Sequence, residues 1–178
     1  MTTPAAITIP DRSAFVDAVR AMTHTSRTSL LIVHERALES ARGDALFRDP
    51  FAAVIDDVTG GEGAAMSKQF EAGWSRFQTE SNRPWDDWHR TWTAVRTRFV
   101  DDQISAAVDA AVAADKTPQV IILGAGFDAR SLRLAALARS SRVLEVESDE
   151  VAAVRKRVFD LLAATPVCPM RIDVACDV

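Results

Sequence analysis

One glycine-bearing bend carries the most chemistry in this sequence. Leu123-Gly124-Ala125-Gly126-Phe127-Asp128-Ala129-Arg130 follows the apolar run Gln119-Val120-Ile121-Ile122-Leu123 and precedes a helical pattern. A strand, a glycine turn and a helix, in that order, form the setting of a nucleotide-binding loop. Gly124 permits the tight turn, and Gly126 lets a ligand approach bare backbone. An acid about 20 residues further on commonly meets ribose hydroxyls. Glu145 and Glu147 stand 21 and 23 residues past Gly124, at the end of the next apolar run. Carboxylates suit this task because each accepts hydrogen bonds from two vicinal hydroxyls. The constellation predicts an adenosine-type ligand.

The bend also fits the dinucleotide pattern G-x-G-x-x-A. Asp128 opposes that reading, because a pyrophosphate seeks the positive end of a helix and a carboxylate there repels it. S-adenosylmethionine carries no phosphate and tolerates an acid beside the loop. A second role for Asp128 is simply to cap the helix. The other glycine cluster, Thr59-Gly60-Gly61-Glu62-Gly63, lacks the Gly-Lys-Ser/Thr ending of a phosphate cradle and reads as a flexible loop.

The elements that must position the bend divide near residue 118. Before it, apolar residues recur at helical spacing. Asp11 and Ser13 offer caps for a first helix, and Ser26 to Ser29 for a second that runs to Ala41. Asp49-Pro50 marks a helix start. Pro84 to Ala114 is the longest helical pattern. In it Trp85, Trp88, Trp92, Val95 and Phe99 fall on one face, followed by Ala106, Ala107 and Ala110. The stripe is expected to pack on a core rather than to stack bases, and the alanines to lie against a sheet.

After residue 118, β-branched runs alternate with helical ones. The run 119–123 reads as a strand buried on both faces. A helix is expected over 131–139, a strand over 142–147, a helix over 150–163 and a strand over 170–174. This β-α-β-α-β order implies a parallel sheet with right-handed crossovers.

Composition narrows the function. The chain has 178 residues, a net charge of −4 and 48% hydrophobic residues. This acidity argues against a nucleic-acid partner. No run is long enough to span a membrane, and residues 1–10 lack the form of a secretory signal. Cys168 and Cys176 are too few for a disulfide framework. A cytoplasmic protein is expected. His24, His34 and His89 are scattered, read as surface or capping residues, and suggest no catalytic base. No metal-ligand spacing occurs.

Residues 119–130 with Arg133-Leu134 resemble the signature of the leucine carboxyl methyltransferase family, in its S-adenosylmethionine-dependent branch common in mycobacteria. Arg36-Ala37-Leu38-Glu39-Ser40, Leu46 to Ala52, Arg96 to Asp102, Val143 to Glu147 and Ile172-Asp173-Val174 resemble further family segments in order. The resemblance implies an α/β chain with a Rossmann-like class I methyltransferase fold. Residues 1–117 would form an N-terminal helical cap and lead-in helix, and 118–178 the first half of the cofactor domain. It implies S-adenosyl-L-methionine as cofactor. Gly124 and Gly126 would line its methionine part, and Glu147 would take the ribose. Asp173 and Val174 would hold adenine, and Arg96, or Arg98, the carboxylate. The catalytic residues stay unknown.

Two departures accompany the resemblance. Glu147 stands where the family has Asp, and Asp149 where it has Pro. The family's later strands are also missing, so the sheet is expected to be incomplete with its first strand at an edge. That suggests a truncated chain that self-associates through this strand. The leading expectation is O-methyl transfer to a carboxylate or hydroxyl of a small substrate. A carboxylate acceptor needs no base, whereas a hydroxyl does. The alternatives are an inactive or partner-dependent fragment and an NAD-dependent oxidoreductase.

Overall fold

A computed structural model describes residues 12–74 and 84–176. Its contacts divide the chain into two compact units, one ending at Arg98 and the other beginning at Phe99. The expected boundary at 117/118 falls between the end of the longest helix at Ala113 and the first strand at Gln119.

The first unit is helical. Helix α1 spans Arg12–Ala21 and buries Phe15 and Val19. Ser13 therefore lies within it, while Asp11 is outside the described residues. Helix α2 spans His24–Ser40 and starts earlier than expected. Its cap is Thr23, whose hydroxyl accepts from the amide of Ser26 at 3.2 Å. Helix α3 spans Ala52–Val58. Asp49 prepares its start, with Oδ1 accepting from the amides of Phe51 and Ala52 at 3.0 and 3.1 Å, but Pro50 lies in the turn before the helix and not at its first position.

Helix α4 spans Glu62–Trp74, so the expected flexible loop shrinks to its first residues. Gly63 belongs to the helix for a packing reason. A Cβ there would stand 2.3 Å from the carbonyl oxygen of Leu30 on α2. Only glycine lets the two backbones approach this closely. Leu31, Met66 and Trp85 form the core beside this crossing, with Phe70 and Trp74 packed on it.

Helix α5 spans Trp85–Ala113, close to the expected range. Its orientation corrects the sequence reading. Trp85 is buried, but Trp88, Trp92, Val95 and Phe99 are 36%, 44%, 53% and 60% exposed. The buried side instead carries Thr93, Ala94, Thr97, Asp101 and Val108. Ala106, Ala107 and Ala110 are likewise exposed. Periodicity locates a stripe but not the side from which the chain covers it.

The second unit is the expected parallel sheet. Strands β1 (Gln119–Leu123), β2 (Arg142–Glu147) and β3 (Arg171–Ala175) lie in the order β1-β2-β3. Between β1 and β2 the chain makes the short helix α6 (Arg130–Arg133) and a 3-10 turn over Ala135–Arg139 rather than one continuous helix. Helix α7 (Asp149–Leu162) joins β2 to β3 and ends at Ala163 with φ 45°.

The register pairs Ile121 with Leu144 and Leu144 with Ile172, then Leu123 with Val146 and Val146 with Val174. Alternation puts these six apolar side chains on one sheet face. The opposite face, bearing Val120, Ile122 and Val143, packs with Leu137, Cys168 and Ile104. Two right-handed crossovers stepping the same way place their helices on one side of a sheet. β1 is thus at the edge, and it is not buried on both faces. Ile121 and Leu123 are 61% and 73% exposed.

His34 on α2 links to Asp56 on α3 through Nδ1 at 2.8 Å. The hydrogen bond to Asp56 raises the imidazole above its ordinary 6.5, with burial opposing. A raised pKa adds stability fully below the unfolded-state value and loses it as pH climbs through the folded-state value. The advantage of the wild type over His34→Gln in urea midpoint should therefore shrink from mildly acidic to alkaline pH. A constant advantage would show that the pair contributes no charge linkage.

Candidate cofactor site

The bend closes the top of β1 as the glycines require. Gly124 and Gly126 have φ of +59° and +50°, in the left-handed region that side chains resist. No heavy atom stands within 4 Å of where a Cβ on Gly124 would lie. The space beside that backbone is open. The amide of Ala125 continues the sheet by donating to the carbonyl of Val146 at 3.0 Å, and the amide of Asp128 closes the turn on the carbonyl of Ala125 at 2.8 Å.

Glu147 meets this bend. Its Oε2 accepts from the amide of Gly126 at 2.7 Å, and its Oε1 from the amide of Ser148 at 2.8 Å. The structure thus brings Gly124, Gly126 and Glu147 together. Glu145, the other candidate acid, points to the opposite fate. It is 1% exposed and paired with Arg155 at 2.6 Å and with Arg171. Sequence spacing alone could not separate the two glutamates.

Asp173 faces Glu145 across β2–β3, two residues before the end of its strand. Its Oδ1 accepts from Arg155 at 3.0 Å and from Arg171 at 2.5 Å. Val174 is its neighbour on the apolar sheet face. The residue level with Glu147 at the strand end is Ala175, and the amide of Cys176 donates to the carbonyl of Glu147 at 2.9 Å. Asp177 follows in the sequence and lies outside the described residues.

Arg155 was not a sequence candidate. It is 1% exposed and touches Glu145, Asp173 and the carbonyl of Asp128, the last at 3.2 Å. It ties α7 to both strands and to the far end of the bend. A helix pattern marks such a residue only as an arginine in an inward row beside Val151, Val154 and Val158.

Asp128 takes the capping role. Its Oδ1 accepts from the amide of Arg130 at 2.7 Å, and its other oxygen pairs with the Arg130 guanidinium. Asp101, buried on α5, holds Arg130 at 2.6 Å and Arg133 at 2.7 Å. The helix behind the bend has only four residues, so it offers little dipole to a pyrophosphate.

Arg96 and Arg98 belong to the first unit. Arg96 lies over the Trp92 ring, 4.3 Å from its centroid, and Arg98 donates to the carbonyl of Leu46 at 3.1 Å. That unit also holds a cleft of about 230 Å³ with charges of both signs, among them Glu39, Arg42, Asp44 and Arg90. None of the sequence-derived site residues lines it. Among the described residues no cluster of His, Cys, Asp and Glu could hold a metal ion. Cys168 is buried, which pushes its thiol pKa up, and Cys176 is exposed.

Comparison with known proteins gives this arrangement its context. The leucine carboxyl methyltransferase family profile matches residues 29–178. The chain belongs to the leucine carboxyl methyltransferase family. Among its relatives, a Streptomyces coelicolor protein is 34% identical over 142 residues, covering 78% of this chain and 43% of that protein. One from Frankia alni is 35% identical over 130 residues, covering 73% and 40%. One from Mycobacteroides abscessus is 35% identical over 115 residues, covering 60% and 33%. All three are named for S-adenosyl-L-methionine-dependent methyl transfer. The chain therefore spans less than half the length of these relatives.

The buried charges make a direct test of the framework. Arg155→Met removes one of the two cations that Glu145 and Asp173 share, leaving Arg171 alone to balance both acids. Such a loss costs about 3–5 kcal/mol when it strands a buried charge. The double variant Arg155→Met/Glu145→Leu should recover part of this in urea denaturation. A single variant as stable as wild type would mean that Arg155 does not hold the strands.

Proposed function

We propose that this chain binds S-adenosyl-L-methionine and serves methyl transfer to an oxygen of a small substrate. The carrying observation is the junction of Gly124, Gly126 and Glu147 at the strand ends, in a chain of this family. The residues fit the cofactor. Open space flanks Gly124, where an added Cβ would find no neighbour. Glu147 keeps lone pairs for two ribose hydroxyls even while its oxygens hold the loop amides. When bound, S-adenosyl-L-methionine supplies an electrophilic methyl group on sulfur.

The protein's part is to hold and orient, which contributes up to roughly 7–11 kcal/mol in a well-aligned displacement. In this reading Gly124 and Gly126 line the methionine part and Glu147 takes the ribose. Arg96, with Arg98 as second candidate, meets the carboxylate on the strength of the resemblance. Asp173 and Val174 are the expected adenine pair. Asp173 already serves two arginines, so Asp177, the next acid in the sequence, is its rival.

NAD is the weaker reading. The Gly126 amide, which a pyrophosphate would use, already donates to a carboxylate. The four-residue α6 offers no substitute. No described helix is long and apolar enough to cross a membrane, and we place the protein in the cytoplasm on its composition.

Calorimetric titration should show binding of S-adenosyl-L-methionine and S-adenosylhomocysteine and none of NAD. Gly126→Val should abolish this binding with helical circular dichroism unchanged, because a side chain is strained at φ +50°. Asp173→Asn and Asp177→Asn, compared for affinity, would assign the purine contact. NAD binding alone would end the methyltransferase reading.

We also propose self-association through β1. The strand is at the sheet edge, and its two outward side chains are largely exposed. Edge strands of this kind pair with other chains. Sedimentation should show a concentration-dependent dimer that Leu123→Lys weakens. A monomer at all concentrations would exclude pairing.

A further inference from the structure

The first unit holds a buried acid that the cofactor reading does not use. Glu35 on α2 is 2% exposed. Its Oε1 meets Nδ1 of His89, and its Oε2 meets the hydroxyl of Thr93, both on α5. A buried carboxylate needs donors. The Thr93 hydroxyl is one, and His89 Nδ1–H is the other. The neutral imidazole then has its proton on Nδ1 and its lone pair on Nε2. Nε2 has no hydrogen-bond partner among the described residues. These contacts correct the reading of His89 as a surface or capping residue.

Aromatic rings pack against the imidazole. Trp85 stacks on the imidazole at 4.4 Å between centroids and 17° between planes. Trp92 tilts against it at 5.6 Å and Trp88 at 6.0 Å. Both of these tryptophans are more than a third exposed.

We infer that this part of α5 binds a planar aromatic ligand bearing a hydroxyl, a phenol whose O–H donates to Nε2 of His89. Trp88 already stacks on Trp74 at 5.2 Å and 15°, and Arg96 covers one face of Trp92, so the exposed part of Trp92 is the surface that favours a flat π-system. The fixed lone pair demands a donor, which an ionised carboxylate lacks. Such a carboxylate would also approach the charge of Glu35, although Arg96 beside Trp92 would attract it. The inference rests on the methyltransferase reading only for the ligand's fate: a phenol is a hydroxyl-class methyl acceptor, which would form an O–CH3 bond as the S–CH3 bond breaks and would release its proton.

The test is calorimetry on the full chain at mildly alkaline pH with 2-naphthol, 2-naphthoate and naphthalene. Naphthol should bind, and the other two at least about tenfold more weakly, a difference of about 1.4 kcal/mol. Trp92→Ala, at an exposed position, should lose naphthol binding. His89→Phe should remove the preference for the hydroxyl. Should His89→Phe fail to fold, the wild-type ratio and Trp92→Ala decide. Equal or tighter binding of naphthoate, absence of naphthol binding, or unchanged affinity in Trp92→Ala overturns the inference. A parallel titration with S-adenosyl-L-methionine separates the two readings. If that cofactor binds and naphthol does not, only this inference fails. If naphthol binds and the cofactor does not, the methyltransferase reading fails instead.

Discussion

A single guanidinium buried under the glycine bend constrains the whole cofactor half. Arg155 enters from α7 and meets an acid on β2, an acid on β3 and a carbonyl of the bend. Removing the charges of Glu145, Arg155 and Arg171 from water is costly, and the attraction within the cluster offsets this only when the geometry is good. Arg171 joins the same two acids. Two cations and two anions therefore share one neutral cluster, and none of the four is left unpaired. The arrangement is specific in a way an apolar contact is not, because a register slip would strand a buried charge. It holds β2 and β3 so that Glu147 emerges level with the bend.

Glu147 completes that geometry from above. A carboxylate one methylene longer than aspartate reaches from the end of β2 to the amide of Gly126. The bend is thus held on one side by Glu147 and on the other by Asp128 and Asp101 through Arg130. Arg130 and Arg133 balance Asp128 and Asp101, whereas Glu147 is held by backbone amides. A doubly charged pyrophosphate would meet the Glu147 carboxylate with no long helix behind the bend to compensate. A sulfonium with an adenosyl group meets it without penalty.

Much of the second unit was legible in the sequence because its signals are local. A β-branched run, two glycines and an acid at the next strand end need only short-range rules, and β2 and α7 appear within a residue of their expected bounds. The α-helix expected over 131–139 breaks because Leu134 leaves helical geometry, with ψ 100°. The apolar spacing there survives in a 3-10 turn. The aromatic stripe of α5 misled for a different reason. Its period is real, yet Thr93 and Asp101 take the buried side because Glu35 and the arginines of α6 supply them with partners. Buried polar residues are invisible to a reading that equates burial with hydrophobicity. The Glu35–His89 pair was hidden likewise, since its members lie 54 residues apart. Gly63 looked like loop punctuation, and only the 2.3 Å approach of Leu30 explains it.

The position of Asp173 shows why spacing from a motif is a weaker guide than position on a strand. Side chains alternate along a strand, so acids two apart share a face but differ in height by about 7 Å. Glu145 and Asp173 are paired across the sheet at one height. Glu147 and Ala175 are paired one step higher. On the proposed reading, a cofactor on the bend would meet the higher level, with Glu147 nearest to it and Asp173 one step lower, in the arginine cluster. Any acid that grips the purine must either come from beyond Ala175 or draw Asp173 away from two guanidiniums. The second course would weaken the charge cluster on which the bend itself depends, so the physics favours an acid beyond the strand end.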